Sequence, residues 1–82
     1  MIGNDLNKAI KLLKSKCNVI PEKYCMYNNA YLFLAYSPNV TNKAEVMSPW
    51  YLVDVREKVA GPFSAAFDFD GFFKATENLE DL

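Results

Sequence analysis

The 82-residue chain contains no histidine. That absence removes the imidazole base from Ser–His and Cys–His nucleophile pairs, and with it the commonest zinc ligand. Glycine occurs only three times, and no glycine-rich loop offers backbone N–H groups to a phosphate. Two cysteines, Cys17 and Cys25, are too few for a disulfide scaffold and, without further soft ligands, for a metal site. They flank a short loop and could meet, but free thiols are the simpler reading in a chain without an export signal. No apolar run approaches the roughly 20 residues that cross a bilayer, and the segment Met1-Ile2-Gly3-Asn4-Asp5 is polar. Neither a membrane partner nor a signal peptide is therefore expected, and the cytoplasm is the default location.

What is present is apolar and aromatic. Hydrophobic residues make up 51% of the chain and aromatic residues 15%, far too much for intrinsic disorder. A chain this short buries only about 60–65% of the surface its unfolded form exposes, so a rich core is needed in what is read as one domain over residues 1–82. Net charge is −1, yet the charges are segregated. Five lysines and two acids fall in residues 1–24, whereas five acids and Lys74 fall in residues 64–82. Four lysines on one helix are read as a solvated face rather than a nucleic-acid footprint. The two ends are expected to attract one another, within a chain or between copies.

Periodicity supplies the elements. Leu6, Ala9, Ile10, Leu13 and Cys17 follow helical spacing over residues 4–17, with Asn4 as the expected cap. Pro21 forbids continuation of that helix. Residues 24–27 and 30–36 read as two strands around Asn28-Asn29, a pair that tolerates the positive φ of tight hairpins. Trp50 to Val55 is a third strand, and Val59 to Phe63 a fourth that Gly61-Pro62 marks as an edge. Phe69 to about Leu79 reads as a second helix, capped by Asp68 or Asp70, with Phe69, Phe72, Phe73 and Thr76 along one side. The expected fold is α+β: an N-terminal helix, a four-stranded antiparallel meander and a C-terminal helix (α-β-β-β-β-α).

In the second strand both alternating faces, Tyr31/Phe33/Ala35 and Leu32/Leu34/Tyr36, are apolar. A strand wetted on one side alternates apolar with polar, so both faces of this one need cover. Two helices can supply it, one per face, or both can pack on one face and leave the other to a partner. Trp50, Leu52 and Asp54 share the more mixed face of the next strand, where an exposed aromatic patch is expected.

Candidate chemistry is sparse. Phe67-Asp68-Phe69-Asp70-Gly71 resembles the Asp-x-Asp-Gly signature of haloacid-dehalogenase-type phosphotransferases, which pair an aspartate nucleophile with an acid/base around Mg²⁺. That family needs a large parallel α/β domain and further lysine and acidic motifs downstream, which this chain does not carry. Helix capping is the expected role of these aspartates. Asp54, alone in an apolar strand, is read as a carboxylate paired with Arg56 or Lys58 across the hairpin rather than as a perturbed acid. No enzymatic activity and no cofactor are expected.

The segments Ser48-Pro49-Trp50-Tyr51-Leu52-Val53-Asp54, Val59-Ala60-Gly61-Pro62-Phe63-Ser64 and Gly71-Phe72-Phe73-Lys74-Ala75 resemble small proteins encoded by tailed phages and prophages, often near virion genes. There an aromatic-Leu-Val-Asp strand turns through Thr-Gly into Val-x-x-Phe-Ser and a short aromatic helix; here Glu57-Lys58 replaces Thr-Gly. The chain is also similar, more faintly, to bacterial toxin-immunity proteins that pack a helix on a meander. The first resemblance implies an accessory or virion-associated protein that binds another protein or a second copy. The second implies an inhibitor, of immunity or anti-defence type, that blocks an enzyme. Candidate protein-binding residues are Tyr36, Trp50, Leu52 and Asp54 on the sheet, and Glu77, Glu80 and Asp81 on the acidic tail.

Overall fold

A computed structural model describes residues 2–46 and 48–82, with side chains from Asp5 onward. The chain folds as an N-terminal helix, an antiparallel sheet and a C-terminal helix, as its patterning predicts. Helix α1 spans Ile2–Cys17, so it begins before Asn4, whose expected capping side chain lies outside the described residues. It ends where Asn18 turns left-handed (φ 51°) and donates its N–H to the Lys14 carbonyl at 3.2 Å, the αL stop that asparagine adopts more readily than most residues.

Strand β1 (Ile20–Tyr27) runs into β2 (Ala30–Tyr36) through Asn28 and Asn29, both at positive φ (47° and 66°). A two-residue hairpin demands that conformation, because it matches the twist of the flanking strands. Pro21 sits beside a register shift in β1, the irregularity a residue without an N–H requires. Strand β3 (Trp50–Asp54) follows a short 3₁₀ turn at Lys43–Glu45 and leads to β4 (Val59–Pro62). Helix α2 covers Phe69–Thr76, three residues shorter than its spacing suggested. Thr76 explains part of that, since its hydroxyl donates to the carbonyls of Phe72 at 3.0 Å and Phe73 at 3.2 Å.

The chain then returns as a strand the sequence did not announce. Strand β5 (Glu80–Asp81) pairs with Lys23 and Tyr24, giving the order β4-β3-β2-β1-β5. The four-stranded meander thus gains a fifth strand beside β1, reached by a crossover through α2, with β2 in the middle and β4 on an edge.

Each face of the sheet has its own core and its own helix. Tyr31, Phe33, Ala35 and Val53 pack against Ala9 and Leu13 of α1. Leu32 and Cys25 face the other way and pack with Phe63 and with Phe72 of α2. The doubly apolar β2 is explained by this: strand residues alternate sides, and here both sides are covered, with Leu34 and Tyr36 half-buried towards the end of the strand. The cysteines belong to opposite faces, Cys17 to the α1 side and Cys25 to the α2 side. Both are free, and burial pushes both thiols up from their ordinary pKa.

Candidate functional site: the outer face of the second helix

Ser64 opens the site. Its hydroxyl accepts the Ala66 N–H at 3.3 Å, starting a 3₁₀ turn at Ala65–Phe67 that swings Phe67 into water, 86% exposed. Asp68 then caps α2. One carboxylate oxygen accepts the Gly71 N–H at 3.1 Å and the other accepts the Tyr27 hydroxyl at 2.8 Å. A β-carbon on Gly71 would run into the Asp68 carboxylate, so a larger residue there would push the cap out of place. The Asp-x-Asp-Gly string is therefore a capping device tied to the sheet through Tyr27.

These bonds act on both groups. The Gly71 N–H, and after it the Tyr27 hydroxyl, holds the Asp68 carboxyl below its usual range; the Asp68 carboxylate raises the Tyr27 phenol. A lowered carboxyl contributes stability above the ordinary carboxyl pKa of about 4, lost as pH falls through the lowered value. A raised phenol contributes stability below about pH 10, lost as pH climbs through the raised value. Melts from neutral to acid pH are thus expected to show a steeper fall in Tm for the wild type than for Asp68→Asn. Equal slopes would remove the cap from the account.

Inside α2 the phenylalanines divide. Phe72 points inward, with its ring edge-on to Trp50 at 4.9 Å and stacked with Phe63 at 6.1 Å. Phe69 and Phe73 stack with each other at 6.2 Å and remain 56% and 59% exposed. Phe69 and Phe73 thus form an exposed aromatic pair, preceded in the chain by the exposed Phe67, and the exposed Asp70, Lys74 and Glu77 stand on the same helix or its end. Monomers scatter single apolar residues over their surface, whereas a stacked exposed pair with a third exposed phenylalanine two positions before it concentrates apolar surface on one short segment.

The residues singled out from sequence do not converge. Trp50 and Leu52 are half-buried under α2, so the aromatic patch expected on their face lies instead on the helix that covers it. Tyr36 is half-buried with the Lys43 ammonium 5.1 Å from its ring centre. Asp54 pairs with backbone rather than with a cation across the hairpin: its Oδ1 accepts the N–H groups of Arg56 at 3.0 Å and Glu57 at 3.3 Å. That Asx geometry lets the chain turn although Lys58 must adopt φ 54°. Glu80 and Asp81 form β5, where Asp81 meets Lys23 at 3.2 Å and the Glu80 carboxylate raises the Tyr24 phenol. The attraction between basic and acidic ends is realised there, within one chain. Glu77 caps the C-terminal end of α2, one turn beyond Phe73. Among the described residues no three His, Cys, Asp or Glu side chains gather as a metal site, and no helix is long and apolar enough to cross a membrane. Compared with known proteins, the chain matches no family model, no curated protein and no solved structure.

Proposed function

We propose that the chain is a non-catalytic protein-binding module, of the accessory or virion-associated kind encoded by tailed phages and prophages, working in the host cytoplasm or on the particle. It docks through the outer face of α2. The observation that carries this reading is the exposure of Phe67, Phe69 and Phe73 in a chain whose remaining large aromatics are half-buried or buried. Each phenylalanine yields about 1.5–3 kcal/mol on full burial. Phe69 and Phe73 are already partly buried, so the three together offset only part of the roughly 4–15 kcal/mol cost of association, and the polar rim must complete the interface.

A second reading, a small inhibitor that blocks an enzyme, is supported by the exposed acids of the C-terminal segment, Glu77 at the end of α2 and Glu80 and Asp81 on β5. On this reading neutralising Glu77, Glu80 and Asp81 weakens binding at low salt, whereas on the first reading the phenylalanines dominate and these acids contribute little.

An apolar fluorescent dye tests the docking face. The wild type is expected to bind it, and Phe67→Ser/Phe69→Ser/Phe73→Ser to lose most of the signal. Because the three rings are mainly in water, Tm is expected to shift by no more than a few degrees. Undiminished dye binding by the triple variant would sink the proposal.

A further inference from the structure

Two surfaces on opposite sides of the sheet complement each other. The first is the outer face of α2, where the stacked Phe69 and Phe73 have Asp70 and Glu77 along one side, with Lys74 beyond them. The two acids are seven residues apart, about 10 Å along a helix axis. The second is an open groove of about 600 Å³ between α1 and the β3–β4 turn, lined by Lys8, Lys11, Leu12, Ser15, Val55 and Lys58. Leu12 and Val55 give it an apolar, half-buried floor, and its charged rim is wholly lysine. From Lys8 to Ser15 is again seven residues of helix, so the groove matches the spacing of the two acids. The ion pairs among the described residues, Lys23–Asp81 and Lys43–Glu22, use none of these lysines.

A single chain cannot bring the two surfaces together, because α1 and α2 cover opposite faces. We infer that the occupant of the lysine-rimmed groove is α2 of a second copy of this chain. Phe69 and Phe73 rest on Leu12 and Val55, while Asp70 and Glu77 meet Lys8, Lys11 and Lys58. This inference rests on the docking reading above and names its partner. The contact is heterologous: each copy offers one groove and one helix, so association continues past two copies unless a ring closes.

Sedimentation equilibrium of the full chain over a wide concentration range tests it. The wild type is expected to exceed twice the 9.3 kDa chain mass, and to associate on the order of tenfold more weakly when salt rises from about 0.05 to about 0.5 M. Lys8→Glu/Lys11→Glu and Phe69→Ser/Phe73→Ser are each expected to associate on the order of 100-fold more weakly, with unchanged circular dichroism. Mixed together, they retain one good groove and one good helix, so a one-to-one dimer that grows no further is expected. Undiminished association of Lys8→Glu/Lys11→Glu would overturn the inference in favour of a two-fold phenylalanine contact. A wild type that stays monomeric would also overturn it. If that monomer still binds the apolar dye at α2, only the second copy is lost as partner; if it binds none, the docking face is lost as well.

Discussion

Phe33→Ala is expected to leave a large fraction of the chain unfolded at room temperature. Phe33 is fully buried in the central strand, stacked with Tyr31 at 6.1 Å and tilted against Tyr24 at 6.4 Å. It forms the floor on which Ala9 and Leu13 of α1 rest. Removing such a ring costs about 3–5 kcal/mol, through lost transfer energy and the cavity left behind. Native domains have only about 5–15 kcal/mol in total, and chains this small sit near the lower end. The check is a circular-dichroism melt. A cooperative transition displaced by less than about 10 °C would show that the α1-side core is not where the stability lies.

Phe72→Ala is the second large effect, and it is expected to be local. An eight-residue helix is too short to persist alone in water. Helix α2 is held by one buried ring between Trp50 and Phe63 and by the Asp68 cap. Losing the ring is expected to free α2 while α1 and the sheet keep their shared core. Trp50, the only tryptophan in the chain, then moves from a ring-packed to a wet environment, and its emission shifts to the red. Amides of α2 are expected to exchange much faster than those of β2. Unchanged Trp50 emission would contradict the wedge.

The comparison of Phe33 with Phe72 shows what the sequence could and could not reveal. Phe33 was legible because β2 is apolar on both faces, and a strand of that kind must be covered twice. Helix α1 was legible from its spacing, the first hairpin from Asn28-Asn29, and the edge position of β4 from Gly61-Pro62. The division of the phenylalanines in α2 was not. Phe72 and Phe73 are adjacent, hence about 100° apart around a helix, and a short helix rich in phenylalanine does not say which ring goes inward. A signal was available: Phe69 and Phe73 lie four apart, on a stripe with Asp70 and Glu77 along one side, and Phe67 precedes the capping aspartate.

Strand β5 escaped for a different reason. Two acidic residues carry little strand propensity. They pair because the chain leaving α2 passes the free edge of β1, where Lys23 is waiting for Asp81. Trp50 was misplaced because alternation assigns a residue to a face and does not say how much of that face a helix will cover. Asp54 was paired with the wrong group because sequence shows side-chain charges and hides the N–H groups that a turn leaves open.

Hydroxyl-radical footprinting of the dilute chain, read residue by residue, tests most directly whether α2 turns an aromatic face to water. Rapid labelling of Phe67, Phe69 and Phe73 is expected, with Phe33, Phe63 and Phe72 protected. Protection of Phe69 and Phe73 alongside labelling of Phe72 would mean that the helix is rotated on the sheet, and the docking surface would not exist.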